Sequence, residues 1–199
     1  MRLLSILLLI GVLLAGRAEA ALYSQTVNQL IPDGNANGYF TTINVESAET
    51  IHSLTVSFDV TGGNTGDLYA YLTRDGGGFA VLLNRVGKTS STPFGYCDSA
   101  FTVTLSDAAA TDIHAYSSGG PAVVGSYQPD GRNVDPLVVL DTDSRGAMLS
   151  SFNNYSAAGV WTLFFADMAG GNQQSTLESW SLEINAVPEP VNVALGVFA

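Results

Sequence analysis

The sequence holds a single cysteine, Cys97. No disulfide can form within the chain, so the fold must stand on its core or on a bound metal. Cationic side chains are scarce, seven Lys and Arg against eighteen Asp and Glu, for a formal charge of −11. That balance excludes nucleic acid and anionic lipid surfaces as partners and makes a cation the natural small one. Histidine is limited to His52 and His114. The chain has no GxSxG elbow, no HExxH and no paired Cys/His spacing, so neither a hydrolase nucleophile nor a zinc centre has its usual signature. His52 opens an apolar run and reads as a rim or core-edge residue, while His114 lies in a loop-like stretch near Asp112. A triad is defined by geometry, and nothing here supplies one. "FGYCDSAF" places no His beside Cys97, which reads as a buried, inert thiol.

The first twenty residues, "MRLLSILLLIGVLLAGRAEA", join an early Arg2, an apolar run from Leu3 to Ala15 and the small-x-small ending Ala18-Glu19-Ala20. This is the pattern of a secretory signal peptide cut after Ala20, and the run is shorter than a membrane span of about 20 residues. Its removal takes away Arg2, Arg17 and Glu19 and leaves the mature chain one unit more acidic.

From Tyr23 to Ile184 the hydrophobic period is two. "HSLTVSFDV" sends Leu54, Val56, Phe58 and Val60 to one face, "DLYAYL" alternates Leu68, Ala70 and Leu72 with Tyr69 and Tyr71, and "AFTVTL" alternates Phe101, Val103 and Leu105 with threonines. "VWTLFFA" is continuous enough for a central strand, and "ESWSLEI" alternates Trp180, Leu182 and Ile184 with polar residues. Turn clusters such as "PDGNANG", "TGGNTGD" and "MAGGN" separate these runs. The expectation is a single-domain, all-β sandwich spanning residues 21–186, with helix limited to a turn or two near Ser106 to Ala110. "VPEP", with two prolines in three residues, ends the sheet and sets a boundary near Ala186.

Two carboxylates stand out. Asp67 and Asp167 each lie at the end of an apolar strand beside glycines, where each either caps its own turn or, desolvated, wants a cation or several N–H donors. A hard, oxygen-seeking ion such as calcium suits that setting. "DTDSRG", Asp141 to Gly146, resembles only the start of a calcium loop and reads as a solvated turn. The sequon at Asn154 is set aside.

"GDLYAYLTRDGGGFAVLLNRVG", preceded by "IPDG" and "ETIHSLTVSFDV" and followed by "YCDSAFTVTLSDAA", "GSYQPDG" and "GVWTLFFADMAGGNQQSTLESWSLEI", resembles the P domain, or homo B domain, that follows the catalytic domain of proprotein convertases and bacterial subtilisin-like proteases. The resemblance covers Tyr23 to Asn185. It implies a jelly-roll-like, galactose-binding-like antiparallel β-sandwich and a metal-binding closing loop with Asp167 at its start. Asn172 stands where a second acid is common, and Ser175 and Thr176 occupy the place of a Gly. Asp67, Asp167, Asn172 and Glu178 are carried over as candidate calcium ligands. The tail, Val187, Pro188, Glu189 and Pro190, resembles a PEP-CTERM sorting motif, which implies recognition by an exosortase-type enzyme. Only nine residues follow it and no Arg cluster is present, so residues 187–199 read as a truncated form of that signal.

The resulting expectation is an exported, non-enzymatic module, calcium-stabilised, at the bacterial envelope or in the extracellular matrix, where exopolysaccharide is a candidate partner. Its first rival is an accessory to a separately encoded subtilisin-like serine endopeptidase acting in trans. The second is a carbohydrate-binding module using Tyr69, Tyr71 or Tyr96 as stacking surfaces.

Overall fold

A computed structural model describes residues 19–171 and 173–187. The expected signal segment up to Ala18, Asn172, and Pro188, Glu189 and Pro190 of the sorting motif lie outside the described residues. Nine strands are described: β1 (Glu19–Ile31), β2 (Asn35–Val45), β3 (Thr50–Gly62), β4 (Leu68–Arg74), β5 (Phe79–Asn84), β6 (Ala100–Leu105), β7 (Val123–Tyr127), β8 (Gly159–Asp167) and β9 (Ser175–Val187).

They form two sheets, ordered β1-β9-β3-β6-β7 and β2-β8-β4-β5. The antiparallel pairs β1·β9, β2·β8, β3·β6 and β4·β5 are nested one inside the next, so the chain behaves as one long double strand rolled into two layers. That nesting is the jelly roll. β7 is an addition to it, an edge strand lying parallel to β6, and it makes the larger sheet mixed rather than purely antiparallel.

The period-two pattern is realised strand by strand. Leu54, Val56, Phe58, Val60, Leu68, Leu72, Phe101, Leu105, Trp180, Leu182 and Ile184 all point between the sheets and are buried. "VWTLFFA" is β8, flanked on both sides by β2 and β4, and it sends Trp161, Leu163 and Phe165 inward. The Phe58 ring meets Phe165 edge-on at 5.3 Å and Phe101 at 6.0 Å, which locks the two layers at their centre. Each such side chain contributes about 1.5–3 kcal/mol.

β5 is an edge strand yet is buried on both faces. Residues 130–147 lie along it, with Val81 N–H donating to Ala147 O (2.9 Å) and Gly131 N–H to Val81 O (2.9 Å). The unpaired edge is thereby closed. Gly38, at the irregular start of β2, has φ +54°, and a Cβ there would sit 2.1 Å from Phe165 O. Only glycine fits that close approach.

No helix forms at 106–110. That segment is a turn, and the Asp107 carboxylate instead accepts the N–H groups of Leu149 and Ser150, starting a short 3₁₀ turn at Leu149–Phe152.

Candidate functional site

The end of the smaller sheet gathers carboxylates. A 3₁₀ turn, Thr65–Asp67, feeds β4, and pairing with β8 sets Leu68 opposite Asp167. Met168 N–H donates to Asp67 O at 2.8 Å, so the two candidate residues share one edge of the fold. The Asp67 carboxylate accepts from the Asn64 amide at 3.0 Å and from the Arg85 guanidinium at 3.5 Å. Arg85 is buried, has φ +51°, and also donates through Nε to Gly66 O.

Asp167 is fully buried. Its Oδ1 accepts from Ala169 N–H at 3.0 Å and the Gly34 N–H also lies against the carboxylate, but Oδ2 has no hydrogen bond of good geometry. Burial, reinforced by the negative charges of Asp67 and Asp33, pushes its pKa up to about 6. Asp33 belongs to "IPDG" before β2 and accepts from Gly171 N–H at 3.3 Å, which ties the 33–34 turn to the loop after β8.

Of the four candidate ligands, then, Asp67 and Asp167 come together and Asp33 joins them unannounced. Asn172 lies outside the described residues. Glu178 sits elsewhere, at a bulge of β9 on the outer face of the larger sheet, accepting from Thr61 Oγ1 at 2.6 Å. Among the described residues no three His, Cys, Asp or Glu side chains already converge on a metal position.

The histidines divide as follows. His52 is exposed at a bulge of β3, in keeping with a rim residue. His114, expected in a loop-like stretch, sits in a short 3₁₀ turn, Ile113–Ala115, and is 1% exposed. Nδ1 lies 2.7 Å from Asp130 Oδ2 and Nε2 lies 2.9 Å from Lys88 O. Both partners are acceptors, an arrangement that favours a proton on each ring nitrogen. Burial opposes the resulting charge, but the hydrogen bond and charge of Asp130 outweigh it and raise the ring's pKa.

Asp130 is itself fully buried and also accepts from Asn84 N–H and from Arg132, which bridges to Asp112 at 3.0 Å. Asp112, the neighbour seen in sequence, caps His114 N–H and pairs with Arg132. With both nitrogens engaged and no hydroxyl among its partners, His114 has no free lone pair with which to act as a base. Arg145 of "DTDSRG" donates to Gln128, Pro129 and Asp130, while Asp141 is exposed, so that stretch is the solvated turn expected, with one structural arginine.

Cys97 is exposed rather than buried. The loop 89–99 carries it outside the sandwich, and the neighbouring Asp98 turns inward in its place to accept from Tyr116 Oη at 2.8 Å. The three tyrosines are half-buried and pack against other rings. Tyr71 is stacked on Phe164 at 4.6 Å and 17° and is flanked by Phe79 at 5.5 Å; Tyr69 leans on Tyr71 and Phe164. Tyr96 lies over Gly87 and meets Tyr116 edge-on.

No protein-family model matches the chain, and no curated relative matches it. Solved structures that are similar include two of a serine protease from Aeromonas sobria. In the complex of a serine protease from Aeromonas sobria with its chaperone, the likeness has a TM-score of 0.47 at 16% identity over 85% of this chain and 27% of that chain. In the serine protease of Aeromonas sobria alone it has a TM-score of 0.46 at 16% identity over 84% of this chain and 27% of that one. The chain thus spans about a quarter of the length of the solved chains it matches, and a likeness at this level assigns it no activity.

Proposed function

We propose that the chain is an exported, non-catalytic sandwich module that works by binding, and that a calcium ion braces the end of the fold where Asp67 and Asp167 meet. The observation that carries this reading is the fully buried Asp167 Oδ2 with no hydrogen bond of good geometry, beside a second carboxylate. A buried carboxylate with only two backbone N–H groups against it is costly to ionise, and a hard cation is the partner that suits it. Asp67 and Asp167 would supply the charge, with Asp33, Asn172 and carbonyls of the Gly-rich loop at 168–171 as further oxygens. The ion would supply cross-linking of three chain segments, not chemistry. The engaged state of His114 supports a non-catalytic role.

In this reading the module works at the envelope or in the matrix, its tail is addressed to an exosortase-type enzyme, and its partner is a separately encoded protein, such as a subtilisin-like protease assisted in trans. The test is thermal unfolding of the purified chain in EDTA and in calcium. A ligand bound only by the native state adds about 2.7 kcal/mol at a hundred times its Kd. Calcium should raise the Tm of the parent and leave Asp67→Ala and Asp167→Ala unchanged; a parent indifferent to calcium would dispose of the brace. Absence of casein hydrolysis checks the non-catalytic half.

A further inference from the structure

The register of the larger sheet brings short polar side chains into line on its outer face. One row crosses four strands as Ser24, Ser181, Ser57 and Thr104. The next, two residues along each strand, is Thr26, Ser179, Asp59 and Thr102. Longer side chains bound the rows: Leu22 and Glu183 beyond the first, Glu178 held by Thr61 beyond the second. The two rows line a trough of about 440 Å³, beneath which lie the inward-facing Gln25, Phe58, Val103 and Trp180.

We infer that this trough binds a neutral, extended oligosaccharide across β1, β9, β3 and β6. Its chemistry selects that class. No Lys or Arg lines it, and the chain's formal charge is −11, so phosphorylated, sulfated and uronic polymers are repelled. It presents no exposed aromatic or Arg anchor of the kind on which protein interfaces depend. What it does present is hydroxyls, which both donate and accept, around the Asp59 carboxylate, which only accepts, with Glu183 and Glu178 at its margins. They are pre-ordered: Ser57 Oγ and Thr104 Oγ1 are 2.8 Å apart, and Ser179 Oγ donates to Asp59 Oδ2 at 2.9 Å.

The dimensions agree. Neighbouring strands are about 4.8 Å apart, close to the rise of one pyranose unit, so four strands offer a run of about 14 Å. The trough is on the opposite sheet from Asp67 and Asp167, and its binding does not depend on the calcium brace.

The experiment is titration of the purified chain with cellohexaose, xylohexaose and maltohexaose, with a polygalacturonate oligomer as the anionic comparison, followed by calorimetry and by amide chemical shifts, in calcium and in EDTA. Binding in either condition supports the trough, so it can succeed where the brace fails, and the reverse. At least one neutral hexamer should saturate with Kd on the order of 0.1–1 mM. Its shifts should fall on the two rows. Asp59→Ala removes a charged acceptor and should weaken binding at least about tenfold with an unchanged Tm. Ser181→Trp fills the trough and should abolish binding; the outward position of both residues keeps the variants folded, which the Tm verifies. The inference is overturned if no neutral hexamer binds at about 10 mM, a level that detects even millimolar affinity. It is equally overturned if Ser181→Trp binds as well as the parent, or if the anionic oligomer binds more tightly.

Discussion

Replacing Asp167 by Asn should stabilise the protein in the absence of calcium and weaken it in its presence. The native carboxyl titrates at about 6 rather than the ordinary 3.8 because it is buried beside Asp67 and Asp33. A difference of two units corresponds to at most about 3 kcal/mol disfavouring the charged form in the fold. A native pKa above the unfolded one leaves stability intact below pH 3.8 and removes it as pH rises through about 6. Asparagine keeps the oxygen that accepts from Ala169 and carries no charge, so in EDTA at pH 7.5 the variant should gain about 2 kcal/mol, or roughly 4–8 °C in Tm for a chain of this size. At pH 4 that advantage should vanish. In calcium the order should invert, because the variant loses a charged ligand. Thermal unfolding read by circular dichroism and by tryptophan fluorescence, at both pH values and in both solutions, supplies the comparison. An Asp167→Asn variant that melts below the parent in EDTA at pH 7.5 would refute the claim that the buried carboxylate is a liability awaiting a cation.

Further outcomes are expected. The imidazolium of His114, raised in pKa by Asp130, stabilises the fold fully below pH 6.5, and its contribution is lost as pH rises through the raised native value; urea unfolding between pH 6 and 9 should show that decline, and a flat profile would contradict the charged ring. His114→Ala takes one charged partner from the buried Asp130, which keeps Arg132 and Asn84 N–H, and leaves a cavity, and should cost about 2–3 kcal/mol at pH 6. Gly38→Ala should cost about 2–4 kcal/mol, from positive φ and the collision of the new methyl with Phe165 O, measured by chemical denaturation. Cys97 should react stoichiometrically with a thiol reagent in the native protein, and Cys97→Ser should change stability by no more than about 0.5 kcal/mol; reaction only in denaturant would return the thiol to the core.

How far the fold can be read from sequence depends on whether a signal is local. Alternation in 54–60, 68–72, 101–105 and 180–184 is a property of each strand alone, and every one of those apolar positions is buried. The parallel placement of β7 depends on where the chain after Leu105 returns, and nothing within "VVGSY" encodes it. The helix expected at 106–110 fails for the same reason: the Asp107 carboxylate finds its N–H partners at Leu149 and Ser150, more than forty residues away. Cys97 was read as buried because thiols usually are, but the sandwich is filled by Asp98 and Tyr116 reaching inward from the same region, which leaves the cysteine outside.

The candidate sites divide along the same line. Asp67 and Asp167 were legible because an acid closing an apolar strand beside glycine is a local oddity. Asp33 and Asp130 are ordinary turn aspartates in sequence, and only the approach of distant segments gives them their partners. The outer trough is the most extreme case, since each of its residues is an unremarkable strand serine, threonine or aspartate. The burial of Phe58 and Trp180 puts them in register across β3 and β9. That same register sends Ser57, Asp59, Ser179 and Ser181 outward, side by side. A slip of one residue would exchange the two faces, exposing the rings and burying the hydroxyls. The packing energy of the core therefore also specifies the rows of the trough. A volume-conserving core change such as Leu182→Met, which leaves the register alone, should leave oligosaccharide binding as it was while costing up to about 1.5 kcal/mol of stability.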